Sequence, residues 1–341
     1  MFKQVSAIRM SGVDQITSVK LNSVTIESYK TSKGIILPEF NLSYQIFGKP
    51  LHTAPVVMVN HALTGNSTVC GFDGWWNDFV GSKKCIDTNR FTVLSFNIPG
   101  NGYLEENSDI FLDYKVLSAY DVASIFSKGL QILEVSELFA LIGGSVGGGI
   151  AWELAVLQPD LIKNLIPIAT DWKATNWLRA NCTIQEQILL NSANPVHDAR
   201  LHAMTLYRTP ASMKAKFSKN NTESKRKDTV DSWLFHHGER LKSRFGLASY
   251  KMLNYILSSI DITKGTDDFE ASVSNLTSDI HIVSINSDVF FTLGEDVETV
   301  ERLRSLNKNI THHIIDSIHG HDAFLIEFEQ LSICLNTIFK N

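Results

Sequence analysis

The chain has little cysteine and no cysteine pattern. Its four thiols, Cys70, Cys85, Cys182 and Cys334, are scattered through 341 residues. No Cys-x-x-Cys pair and no Cys/His ligand spacing occurs, which argues against a zinc site or a disulfide framework and for a reducing compartment. Long apolar runs are missing too. No segment reaches the about 18 uninterrupted apolar residues that a membrane span requires, and the first thirty residues hold neither an apolar h-region nor an Ala-x-Ala cleavage pattern. Charge of one sign is also scarce: Asp, Glu, Lys and Arg make up 20% of the chain, for a formal net charge of -5. With no basic stripe, no nucleic acid partner is expected. Internal repeats are absent. These absences predict a soluble, cytoplasmic protein with no membrane partner.

What is present, a hydrophobic content of 44%, suffices for one large core with an accessory region. From residue 24 the pattern is strand-like: VTIESYK and FNLSYQIFG, then APVVMVNHAL and FTVLSFNIPG, the last two apolar on both faces as buried strands are. Then come a helix in LSAYDVASIFSKGLQILEV, a strand in LFALIGG, a helix in VGGGIAWELAVLQP and a strand in LIPIAT. Alternation of this kind predicts an α/β fold with a mostly parallel central sheet covered on both faces. From 171 to 275 the pattern turns helical and polar, which reads as an inserted helical lid. Strand signals return in IHIVSIN and THHIIDS, and AFLIEFEQLSICLNTIF reads as a closing helix. The core is therefore expected in two parts, 1–170 and 276–341, and SKNNTESKRKD, from Ser218 to Asp228, reads as a solvated loop.

Chemistry concentrates at GGSVGGGI, from Gly143 to Ile150. Gly143-Gly144-Ser145-Val146-Gly147 fits G-x-S-x-G between a strand and a helix, the setting of a nucleophile held on a strained turn. Gly143 and Gly147 would give room at the turn, while Gly148 and Gly149 would let the helix approach the sheet. A phosphate loop fits poorly, because no Lys-Ser/Thr follows the second glycine and no G-x-G-x-x-G opens the first βα unit. In a fold of this kind the acid and the histidine follow the serine in that order, each after a later strand. Asp288 stands after IHIVSIN and His321 after THHIIDS, with His319 a rival base two residues away. Asp288 would orient His321, and His321 would take the proton of Ser145, which alone is a poor nucleophile. An oxyanion hole needs two backbone N–H groups. Val146 supplies one, and Leu63, in His61-Ala62-Leu63-Thr64-Gly65, is the expected second.

The ordered stretches VNHALTGNS, NIPGNGY, LIGGSVGGGIAWELAVLQPD, ARLHAMTLYRTP, FGLASYKMLNYI, SINSDVFF and GHDAFL resemble the homoserine O-acetyltransferases, the MetX-like branch of the α/β-hydrolase fold, over roughly residues 35 to 330. The resemblance implies a ping-pong transfer in which acetyl-CoA acylates Ser145 and the γ-hydroxyl of L-homoserine, activated by His321, takes the acetyl group, in methionine biosynthesis. It implies substrate binding by Thr64, Arg200, Tyr207 and Asp322, with the guanidinium on the carboxylate and Asp322 on the ammonium. It implies acetyl-CoA as co-substrate with no bound cofactor and no metal, and a homodimer through lid helices, for which the apolar positions of LASYKMLNYILSSI would serve. Lys214, Lys216 and Lys219 are candidates for the CoA phosphates. The sequence departs from the family in the short LLNSANPVHDAR link, in Lys216-Phe217-Ser218 and in Gly149-Ile150, all around the acceptor and CoA entrance. A succinyl donor, L-serine as acceptor, water as acceptor in an esterase or thioesterase, and a non-catalytic binding module remain alternatives.

Overall fold

Every residue of Val56–Asn60 and of Thr92–Phe96 is buried, which is what strands apolar on both faces require when helices cover a sheet on two sides. A computed structural model describes residues 20–103, 113–218 and 229–340. Eight strands form one sheet: β1 (Asn22–Ile26), β2 (Phe40–Gly48), β3 (Val56–Asn60), β4 (Thr92–Phe96), β5 (Leu138–Gly144), β6 (Ile162–Ile168), β7 (Asp279–Ile285) and β8 (Ile310–Ile315). Their spatial order is β1-β2-β4-β3-β5-β6-β7-β8. The β1–β2 and β2–β4 pairs are antiparallel and the rest are parallel. This α/β architecture is the mostly parallel sheet that the alternating pattern predicts.

Register decides where the chemistry gathers. Asn60 pairs with Gly143, Gly144 with Ile168, Ile168 with Val283, and Ile285 with Ile315. The carboxyl ends of five strands therefore line up along one edge. The loops that carry His61 to Thr64, Ser145, Asp288 and His321 all leave the sheet there.

Helix α1 (Ala119–Ile132) starts at a capping box in which Ser118 accepts from the Asp121 N–H and Asp121 answers to the Ser118 N–H. Helix α2 (Val146–Leu157), directly behind Ser145, is buried over its first ten residues. It is apolar on nearly every side, Glu153 excepted, because sheet, α1 and the later helices enclose it. Between β6 and β7 stand α3 (Asn176–Asn191), α4 (Pro195–Tyr207), α5 (Pro210–Phe217), α6 (Val230–Lys242), α7 (Leu247–Ser258) and α8 (Phe269–Val273). Helix α9 (Leu293–Ser305) links β7 to β8, and α10 (Phe328–Phe339) closes the chain. No helix among the described residues is long and apolar enough to cross a membrane.

Two expectations need correction here. Most apolar positions of α7 are not free for a second copy, since Tyr250, Met252, Leu253, Ile256 and Leu257 are buried in the chain's own core and, of its large apolar side chains, only Leu247 at its start is exposed. Exposed apolar side chains on the other inserted helices include Trp177, Ile184 and Leu190 of α3. The closing helix also starts later than AFLIEFEQLSICLNTIF suggests. Gly320–Leu325 form a 3-10 turn, separated from α10 by Ile326 and Glu327 in non-helical conformations. Glu327 is diverted by its own side chain, which accepts from the Ser317 hydroxyl at 2.7 Å. Of the SKNNTESKRKD stretch, 219–228 lie outside the described residues.

Candidate active site

Ser145 sits at φ 58° and ψ -129°, a left-handed conformation that is strained for a residue with a Cβ. The strain is held from both sides: the Ser145 N–H donates to Ile168 O at 2.9 Å, and its carbonyl accepts from Gly148 and Gly149. The turn can close on β3 because residue 147 is glycine. A Cβ there would fall 2.6 Å from Asn60 O and 2.7 Å from His61 O, closer than packed atoms tolerate. Asn60 Nδ2 in turn donates to Gly147 O at 3.0 Å. Gly149 has another role than the expected approach to the sheet: a Cβ there would strike Ile260 Cδ1 at 2.2 Å, just after α7, so it admits the lid's return segment.

Asp288 and His321 come together. His321 Nδ1 lies 2.7 Å from Asp288 Oδ2, and both side chains are almost wholly buried. The other oxygen, Oδ1, accepts from the N–H groups of Phe290 at 2.7 Å and Phe291 at 3.0 Å. A carboxylate satisfied in this way fixes the ring tautomer, leaving Nε2 as the acceptor. Four aromatic rings, those of Tyr207, Phe290, Phe291 and Phe324, stand 5.3 to 5.6 Å from the imidazole. Phe324 also packs on Gly144, beside the serine: a Cβ at Gly144 would meet its ring at 2.5 Å. The turn that carries Ser145 and the turn that carries His321 thus share one wall. No hydrogen bond joins Ser145 Oγ to His321 Nε2 in this structure, a contact that often tightens only when substrate binds. His319 is elsewhere, with Nδ1 3.1 Å from Arg208 Nη2 and 3.0 Å from Ser212 Oγ.

The His61 to Gly65 loop forms the opposite wall. His61 is fully buried, and burial lowers its pKa to about 4. The neutral ring staples the loop: Nδ1–H donates to Ala62 O at 2.8 Å, and Nε2 accepts the Ile98 N–H at 3.0 Å. Leu63 and Val146 are both buried. Neither of their N–H groups meets an acceptor among the described residues. Buried N–H groups are rarely left unpaired, so two of them near a buried serine suit an oxyanion.

The lid supplies charge. Arg200 lies over the Tyr207 ring at 5.4 Å, and Tyr207 contacts His321. Burial pushes the Tyr207 phenol up to about 12. Asp322 Oδ2 is 3.9 Å from Arg208 Nη1; burial raises its pKa while Arg200, His321 and Arg208 oppose that shift. Tyr207 is thus the lid residue beside the imidazole, with Arg200 over the Tyr207 ring and Asp322 within electrostatic range of Arg200 and His321. Thr64 is half-buried, and its carbonyl accepts from Arg244 Nη1 at 2.9 Å. Arg208, Phe290 and Phe291 lie within the stretches ARLHAMTLYRTP and SINSDVFF but take no role from the sequence there, and Arg244 lies outside every such stretch. Lys214 and Lys216 are exposed on α5, Lys216 near the Phe217 and Trp233 rings, and Lys219 lies outside the described residues. Among the described residues, no cluster of three or more His, Cys, Asp or Glu could hold a metal.

The fold and the buried Asp-His pair behind a strained serine define an α/β hydrolase, and the family model of that description matches residues 55–201. The chain is 30% identical to a homoserine O-acetyltransferase of Methanococcus vannielii over 96% of its own length and 73% of the relative's. It also overlays a homoserine O-acetyltransferase of Staphylococcus aureus with a TM-score of 0.82 at 25% identity, over 95% of this chain and 96% of the other. An acetylester hydrolase of Corynebacterium glutamicum shares the fold, with a TM-score of 0.78 at 17% identity over 94% and 96% of the two chains. The chain belongs to the homoserine O-acetyltransferase family, enzymes built on the α/β-hydrolase fold.

Proposed function

We propose that the enzyme moves an acetyl group from acetyl-CoA to the γ-hydroxyl of L-homoserine through an acyl-Ser145 intermediate. One observation carries this reading beyond the fold. The Tyr207 ring lies beside the base, the Arg200 guanidinium lies over that ring, and the Asp322 carboxylate is within electrostatic range of Arg200 and His321. Water needs no such clamp as an acceptor, whereas an amino acid carries one group for each charge.

The proposed steps use these groups as follows. His321 Nε2 takes the proton as Ser145 Oγ attacks the thioester carbonyl, and the N–H groups of Leu63 and Val146 receive the oxyanion. The C–S bond breaks, and the thiolate leaves with the proton from His321. The homoserine hydroxyl then loses its proton to the same nitrogen and attacks the acyl ester. Collapse returns the proton to Ser145 and releases the O-acyl amino acid. Asp288 stays ionised, orienting the ring and balancing its charge. The donor is a co-substrate, and no step calls for a resident cofactor.

Free-thiol release measured for acetyl-CoA and succinyl-CoA against L-homoserine, L-serine and no acceptor tests this reading. Release with acetyl-CoA should rise steeply with homoserine. Equal release with and without any amino alcohol would make the enzyme a hydrolase, and faster release with succinyl-CoA or serine would reassign donor or acceptor.

A further inference from the structure

Arg244, just past α6, makes a charged contact that the nucleophile, acid, base and acceptor clamp do not use: it donates from Nη1 to the carbonyl of Thr64 at 2.9 Å. That carbonyl belongs to the Thr64–Gly65 peptide. The N–H at the other end of the same peptide, that of Gly65, donates to Ala62 O at 2.9 Å. Ala62 O in turn belongs to the Ala62–Leu63 peptide, whose N–H is the free oxyanion donor. The peptide bonds here are trans, and in a trans peptide the C=O and N–H point in opposite directions. Two peptide planes therefore stand head to tail, with a guanidinium at one end and the Leu63 N–H at the other.

We propose that Arg244 is a positioning residue for acyl transfer, orienting and polarising the Leu63 N–H through the Thr64–Gly65 and Ala62–Leu63 peptides. Hydrogen bonds in a chain strengthen one another, and a cation at the donor end increases the positive character of each N–H along it. The other anchors explain why the lid is needed. His61 holds Ala62 O from the sheet side, and Asn60 ties the loop's root to Gly147. The Thr64–Gly65 plane is held at its N–H end by Ala62 O and at its carbonyl end by Arg244. The inserted helical segment thus reaches the Leu63 N–H through two peptides.

The inference rests on the acyl-Ser145 reading, and the test separates the two. Wild type, Arg244→Lys, Arg244→Gln and Arg244→Met are compared in the pre-steady-state acylation of Ser145 by p-nitrophenyl acetate. The same proteins are assayed for acetyl transfer to homoserine and for binding of a trifluoromethyl ketone, whose serine adduct carries an oxyanion. Losing an oxyanion donor outright costs about 10²–10³-fold, so weakening one should slow Arg244→Met roughly tenfold or more. Both half-reactions and the ketone affinity should fall by the same factor, with KM for homoserine unchanged and the lysine variant closest to wild type. Acylation at the wild-type rate in Arg244→Met, or a change confined to KM for donor or acceptor, overturns the proposal. Arg244→Gln, which keeps a donor without the charge, carries the comparison if the methionine variant does not fold. Absence of any ester burst in wild type would instead sink the acyl-Ser145 reading itself.

Discussion

Asp288 binds His321 with one oxygen and the N–H groups of Phe290 and Phe291 with the other. The acid is therefore locked by its own loop before it orients the base. Replacing it with asparagine keeps the volume but presents the ring with a group that can favour the wrong tautomer. Asp288→Asn should lower kcat by roughly 10³-fold or more with a much smaller change in KM. A loss of less than tenfold in steady-state assays would remove Asp288 from the role of orienter.

The two histidines near the end of the chain should behave very differently. His321→Ala should abolish acyl transfer. His319→Ala should keep kcat/KM within about threefold, as a substitution away from the reacting atoms does, because its Nδ1 is engaged with Arg208 and Ser212. Equal losses in the two variants would contradict this assignment.

Acceptor binding and acylation should separate at the lid. Arg200→Ala should reduce kcat/KM for homoserine by roughly a hundredfold, the scale of losing a charge-assisted contact. Hydrolysis of p-nitrophenyl acetate should change little. Parallel loss of both activities would show that Arg200 supports the fold or the acyl group rather than the amino acid.

Glu153, buried on α2, accepts from the Asp261 N–H at 3.0 Å, and burial raises its pKa to about 7. A folded-state pKa above the unfolded value means that the folded protein binds the proton more tightly. Its contribution to stability is full below pH 4.5 and is lost as pH rises through 7. Glu153→Gln keeps the acceptor but cannot ionise. Relative to wild type it should therefore gain stability between pH 5 and 8, by about 3 kcal/mol at most. Urea unfolding across that range checks the sign, and a pH-independent difference would show that Glu153 does not titrate there.

Much of the sheet and the order of serine, acid and histidine were legible because each rests on a local signal. These are all-apolar strands, a glycine-flanked serine between strand and helix, and an acid and a histidine just past later strands. What was not legible depends on distant segments meeting. Arg208 and Arg244 look like any solvated lid charge until α4 and the α6–α7 link lie against GHDAF and HALTG. The apolar face of α7 could not be assigned to the chain's own core or to a second copy by periodicity alone. The early end of the 3-10 turn escaped notice because its cause is a side-chain hydrogen bond, from Ser317 to Glu327, rather than a proline or glycine.

The helices inserted between β6 and β7 also have a consequence for the order in which the molecule is made. Strand β6 is complete by Ile168, but its partner β7 begins only at Asp279. Throughout synthesis of the intervening segment, the apolar strand LIPI has one unpaired edge, a template for wrong pairing with another chain. Ser145 is in place by then, while its acid and base have yet to emerge. The edge closes once Asp279–Ile285 pairs with β6, yet His321 emerges only after Leu293–Ser305 and Ile310–Ile315, so Ser145 meets the Asp288–His321 pair later than the sheet edge is covered.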